Sequence, residues 1–234
     1  MLVTSYDIAS PAITHELRAV LLTDLHNKPF EDIVEQVRSL HPDLILIAGD
    51  LVDRHRRTWR RVRPFLQEAS AVAPCYFSFG NHEIKFPKIT GPDIESCGVT
   101  VLDNRYIRFG DLTIGGQTSM SPTDWVSSLE QADGYRILMC HHPEYFRKQH
   151  LKDRDLDLIL AGHAHGGQFR FFDRGVYAPG QGLFPKYTHG IYGNMIVSAG
   201  LANTLTPLVP RIGNPCEIVE LDFRPGESPE IRPA

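Results

Sequence analysis

The stretch Asp43-Leu-Ile-Leu-Ile-Ala-Gly-Asp50 decides the fold class. A short, unbroken apolar run closed by Gly-Asp is the pattern of a strand covered on both faces. Four further runs share it: Arg18-Ala-Val-Leu-Leu-Thr-Asp24, Pro74-Cys-Tyr-Phe-Ser-Phe-Gly-Asn81, Tyr135-Arg-Ile-Leu-Met-Cys-His141 and Leu156-Asp-Leu-Ile-Leu-Ala-Gly-His163. Between the first run and Asp43, residues 29–40 place Ile33, Val34, Val37 and Leu40 at helical spacing, and His41-Pro42 ends the pattern. Between Asp50 and Pro74, residues 58–72 set Val62, Phe65, Leu66 and Ala69 on one helical face. Strand–helix–strand order predicts βαβ units and a largely parallel sheet, so the class is α/β. Residues 157–163 echo 43–50, which suggests two similar sheet halves.

Outward from these runs the pattern is weaker. Residues 98–116 read as short strands with a hairpin break at Gly110-Asp111, and 121–132 as a helix capped near Ser121 or Thr123. Strands are expected near 195–198 and 217–223, and the last ten residues as a tail to one domain spanning 1–234. A net charge of −4 excludes a polyanion-binding basic domain. No apolar run reaches the roughly 18 residues of a membrane helix, and the start lacks a signal-peptide pattern. Cys75, Cys97, Cys140 and Cys216 form no CxxC pair, so reduced thiols and a cytoplasmic location are expected.

The chemistry lies at the strand ends. The five runs deliver Asp24 with His26, Asp50, Asn81 with His82 and Glu83, His141 with His142, and His163 with His165. In open α/β sheets the carboxyl edge of the strands is where ligands bind. Residues two apart on extended chain point the same way, so Asp24 and His26 are expected to converge, as are His163 and His165. Carboxylate and imidazole donors together suit zinc, manganese or iron. These groups exceed the needs of one ion, whereas two ions sharing one bridging carboxylate use them economically and leave positions open for water.

The ordered blocks D-x-H, G-D, G-N-H, H and G-H-x-H over residues 24–165 resemble those of the calcineurin-like metallophosphoesterase superfamily. The ending Gly162-His-Ala-His-Gly-Gly-Gln168 and the segment Arg211–Ile218 look more narrowly like a bacterial phosphodiesterase branch that includes UDP-2,3-diacylglucosamine hydrolases. The resemblance implies a four-layer αββα sandwich of two mixed sheets with two divalent metals at the strand C-terminal ends. It places Asp24, His26 and His165 on one metal, Asn81, His141 and His163 on the other, and Asp50 between them. It implies a phosphodiesterase or pyrophosphatase in which a metal-bridging hydroxide attacks phosphorus and His82 protonates the leaving group. By analogy with the related protein phosphatases, Gly49-Asp-Leu-Val-Asp-Arg54 would set Asp53 against His82 and Arg54 near the phosphate. Asn27-Lys28-Pro29 departs from the small glycine that many relatives carry after D-x-H.

Other features stand apart from that set. The run 54–63 holds six arginines, read as the solvated start of a helix, with an anion-attracting rim as the functional alternative. His142 is expected to point away from the metals. The aromatic, glycine-containing loop 173–192 suits a pocket wall or packing under a long connection. The expected partner is a small phosphorylated substrate, a diester, nucleotide-sugar or lipid-linked pyrophosphate, rather than nucleic acid; peripheral membrane contact stays open. A nuclease and a catalytically silent scaffold are the rival readings, and the presence of all seven ligands with His82 weighs against the scaffold.

Overall fold

The computed structural model describes residues 1–53, 58–85, 89–172, 174–202 and 211–234. Strands β1 (Leu2–Ser10) and β2 (Leu17–Leu22) open the chain. They are followed by α1 (Glu31–Ser39), β3 (Leu44–Ala48), α2 (Val62–Ser70), β4 (Cys75–Ser78), the short helices α3 (Asn81–Ile84) and α4 (Gly91–Glu95), and β5 (Val99–Val101). The second half runs β6 (Arg105–Phe109), β7 (Leu112–Gln117), α5 (Val126–Glu130), β8 (Tyr135–Cys140), α6 (Tyr145–Lys148) and β9 (Leu158–Ala161). Four two-residue strands come next: β10 (Arg170–Phe171), β11 (Arg174–Gly175), β12 (Tyr177–Ala178) and β13 (Gly182–Leu183). The chain closes with β14 (Gly190–Tyr192), β15 (Met195–Val197), β16 (Glu217–Pro225) and β17 (Glu230–Pro233).

Two large mixed sheets result. One has seven strands in the order β17-β1-β16-β2-β3-β4-β5, and the other six, β14-β15-β9-β8-β7-β6. Strands β2 to β5 are parallel, as are β7, β8, β9 and β15. The unbroken apolar runs explain the layering. Leu44, Leu46 and Ala48 meet Ile137, Met139, Leu158 and Leu160 in the core between the sheets. The alternating Ile45 and Ile47 face the inward stripes of α1 and α2 instead. Leu138, Cys140, Ile159 and Ala161 cover the outer face of the second sheet with Val126 and Leu129 of α5. This is the expected four-layer αββα arrangement, and the echoing segments 43–50 and 157–163 supply β3 of one sheet and β9 of the other.

The helical stripes bury the expected residues, Ile33, Val34 and Val37 on α1 and Val62, Phe65, Leu66 and Ala69 on α2. Glu31 and Asp32 in the first turn and Arg38 in the last complement the α1 dipole. His41 then turns left-handed, with φ 50°, just before Pro42. Three expectations need correction. The helix at 121–132 shrinks to α5, which starts from Trp125 with no side-chain cap, because residues before it are held in turns. Leu2–Ser10, ahead of the first apolar run and given no element by its pattern, is β1, paired in parallel with β16. The supposed tail contributes β17, which borders β1 antiparallel. Neither forms an apolar run, because both lie near the sheet edge, where half-covered strands keep polar residues: Thr4 and Ser5 donate to the carboxylates of Glu217 and Glu220.

Candidate metal centre

Asp24, His26, Asp50, Asn81, His82, His141, His163 and His165 are all buried, and each follows the carboxyl end of β2, β3, β4, β8 or β9. Asp24 Oδ1 lies 3.5 Å from His26 Nε2, 3.4 Å from His165 Nε2 and 3.9 Å from His141 Nε2. Asp50 Oδ2 lies 3.0 Å from His141 Nε2 and 3.9 Å from the Nε2 atoms of both His26 and His82. Ligand atoms gather within 4.8 Å of one another in the sets Asp24/His26/His165 and Asp50/His141/His163. The two sets meet through Asp24 and Asp50.

The expected route to convergence was wrong in one respect. Asp24 and His26 are not extended, nor are His163 and His165: their φ values are 58°, 47°, 64° and 46°. Asp50 joins them at φ 57°. Left-handed backbone at five non-glycine positions is strained, and such strain gathers at functional sites. The turns are held by backbone bonds between strand ends, Asp24 N–H to the Gly49 carbonyl and His26 N–H to that of Asp50. Gly49, with φ 81°, has no alternative, since a Cβ there would stand 2.5 Å from Gly80 Cα.

Second contacts fix three of the imidazoles. Nδ1 of His26, His141 and His165 lies 3.2, 2.7 and 3.1 Å from the carbonyls of Val52, Ala48 and Ala202. A carbonyl only accepts, so each Nδ1 carries a proton and Nε2 is the atom turned inward, able to offer its lone pair to a cation once any second proton has left. Those three Nε2 atoms, with Asp24 Oδ1, Asp50 Oδ2 and Asn81 Oδ1, are buried without a hydrogen-bond partner. Buried polar atoms are rarely left so. Backbone-anchored histidines beside orphaned carboxylate and amide oxygens fit divalent cations as the missing partners.

The charges point the same way. Burial would raise Asp24 and Asp50, but the neighbouring imidazoles, His165 and His141 for Asp24 and chiefly His141 for Asp50, hold both well below the carboxylate range. Burial works against a charge on His141, yet Asp50 and Asp24 push it up to about 10. Burial instead pulls His165 down to about 4, and His163 well below the usual imidazole value. His82 falls to about 4 through burial and through His26 and His141, against the pull of Asp50 and Asp53.

The remaining expected residues sort as follows. Asp53 is buried, its N–H donates to Asn27 Oδ1 at 2.6 Å, and its charge acts on His82 and His26. Arg54 lies outside the described residues. Of the arginine run, Arg60, Arg61 and Arg63 are exposed at the start of α2, while Arg61 Nη1 reaches the Asn27 carbonyl at 3.3 Å. His142 does not point away: β8 has ended, and its buried ring stands 4.2 Å from that of His163 and stacks on Tyr145.

Two supports of the centre carry no role in the sequence pattern. Glu83 is buried, and its carboxylate accepts from the N–H groups of Asp50, Val52 and Gly80 at 2.8, 3.1 and 3.0 Å. It thereby ties the Asp50 loop to the Asn81–His82 loop; its signal was its place directly after Gly-Asn-His. Burial and the Asp50 charge push it up to about 7. Arg211 and Asn214 clamp the His165 side. Asn214 Nδ2 donates to the carbonyls of His165 and Gln168, and Arg211 donates to those of Ala199, Gly200 and Ala202.

The calcineurin-like phosphoesterase profile matches residues 17–167, and the chain belongs to that family. It is 30% identical to an uncharacterized metallophosphoesterase of Helicobacter pylori over 237 residues, 90% of this chain and 60% of the relative. Phosphodiesterase YaeI of Escherichia coli is 28% identical over 176 residues, 65% of this chain and 62% of its own. The chain thus spans about three fifths of the length of these relatives. Among solved structures, TT1561 of Thermus thermophilus is similar at a TM-score of 0.46 and 12% identity, over 63% of this chain and 82% of that one. Family members normally bind divalent metals, and the His/Asp groups here could hold them. No described helix is long and apolar enough to cross a membrane.

Proposed function

We propose that the chain hydrolyses a phosphodiester or pyrophosphate bond in a small phosphorylated substrate, using two divalent ions of the manganese, zinc or iron type. Asp24, His26 and His165 would hold one ion, Asn81, His141 and His163 the other, with Asp50 shared. The observation that supports this reading is the set of six buried polar atoms without partners, facing one another across two strand-end clusters. Bound there, the ions would neutralise charge on phosphoryl oxygens and lower the pKa of a water between them.

His82 is the proton donor to the leaving oxygen in this reading. Its ring packs edge-on against that of His26, with centroids 4.6 Å apart, and Asp50 holds its backbone N–H through Oδ1 at 2.8 Å. Burial keeps the ring neutral in the free chain, so its proton arrives with an anionic substrate, whose charge favours imidazolium. Asp53 opposes the burial effect and supports the charged form. His82→Ala should lower hydrolysis of bis-p-nitrophenyl phosphate by about 10²- to 10⁴-fold while metal content stays intact. Unchanged turnover would refute the donor role, and loss of metal would make His82 a ligand instead.

A further inference from the structure

The four short strands β10 to β13 form two small hairpins that follow directly on the His165 turn. Val176 N–H donates to the Phe169 carbonyl, Phe184 N–H to that of Val176, and Arg170 N–H to that of Ile212. Six of the eleven large apolar side chains exposed among the described residues sit here: Phe171, Phe172, Tyr177, Leu183, Phe184 and Ile212. Exposure is therefore concentrated in one place, and four of the six are almost bare: Phe171 74%, Phe172 93%, Leu183 70% and Phe184 81%. Contiguous exposed apolar surface marks an interaction site rather than ordinary surface scatter. Phe172 and Phe184 also sit at φ 48° and 52°, an unfavourable backbone for an aromatic residue.

Charge selects the partner. The chain carries −4, yet Arg174 and Lys186 are exposed beside these aromatics, whereas Arg170 turns inward, its Nε donating to the Gly166 carbonyl. Arg174 lies directly opposite Phe171 across the first hairpin, so cation and aromatic share a face. Beside Phe184 opens a cavity of about 190 Å³ whose lining includes Arg147, Lys148 and Lys186. The carboxylate lining it, Glu144, is buried and stands 3.3 Å from His142 Nδ1. Aromatic tips flanked by cations match the interface of an anionic bilayer, where rings enter the headgroup boundary and Lys and Arg meet lipid phosphate.

We propose that these two hairpins dock the protein peripherally on an anionic lipid surface. The inference needs no turnover at the metal centre, and binding alone tests it. The full chain should co-sediment with vesicles of phosphatidylglycerol and phosphatidylcholine, more weakly at high salt and weakly with phosphatidylcholine alone. The double variant Phe172→Ser/Phe184→Ser should bind about 10²-fold more weakly, roughly tenfold per aromatic side chain, with thermal stability and metal content unchanged. Arg174→Glu/Lys186→Glu should abolish the preference for the anionic lipid. Absence of wild-type binding, equal binding to both vesicle types, or retained binding by the aromatic double variant would each overturn the proposal. A wild-type dimer that this variant dissociates would overturn it too, by assigning the patch to a second copy of the chain.

Discussion

Replacing Arg211 with lysine asks whether the His165 side of the centre is held from outside it. The guanidinium makes six hydrogen bonds, to the carbonyls of Ala199, Gly200, Ala202, Asn214 and Pro215 and to Asn214 Oδ1. Lysine keeps the charge but loses the planar fork, so it cannot reach these acceptors together. Hydrogen bonds to a charged group are worth about 1.5–3 kcal/mol each and do not add. A loss of about 2–4 kcal/mol would lower Tm by about 5–15 °C at this chain length. The same change frees the Ala202 carbonyl that anchors His165 Nδ1, and loss of such a second contact costs about 10- to 100-fold in metal affinity. Thermal unfolding paired with a chelator-competition titration should show one of two metal affinities falling. A lower Tm with both affinities unchanged would refute the anchoring argument and leave Arg211 as simple support for the chain.

Glu83→Ala removes the acceptor of three buried N–H groups at about 1–3 kcal/mol each, so Tm should fall and both metals should be held more weakly; an unchanged Tm would contradict the shared-loop role. His141 is raised to about 10 in the metal-free chain, so at neutral pH it carries a proton that a metal must displace. Metal binding should therefore release about one proton per chain and weaken as pH falls, read by calorimetry in buffers of different ionisation enthalpy; no release would refute the assignment of that proton. Leu46→Ala opens the core between the sheets and should cost about 2–5 kcal/mol in chemical denaturation, whereas a cost below about 1 kcal/mol would mean the site is not tightly packed.

The strands that carry the centre were legible because burial on both faces leaves no room for polar residues: Leu44–Ala48 and Leu158–Ala161 announce themselves as runs. Their chemistry was legible because each run ends in Asp, Asn or His. What was hidden is how these side chains converge. Left-handed backbone at Asp24, His26, Asp50, His163 and His165 depends on contacts between strand ends, such as Asp24 Oδ2 accepting from His163 N–H at 3.0 Å. Such contacts join residues far apart in the chain, and no local pattern carries them. Strand β1 was missed for the opposite reason, since its partly covered face tolerates Thr4 and Ser5. His142 was misplaced because alternation was carried past Cys140, where the strand stops.

Metal content of the purified chain after reconstitution, compared with that of Asp50→Asn, tests the central claim most directly. The account predicts about two ions per chain for the wild type, with Asp50 proposed to lie between them, and weakened binding at both sites in the variant. One ion per chain, or two retained by Asp50→Asn at undiminished affinity, would contradict a shared dinuclear centre.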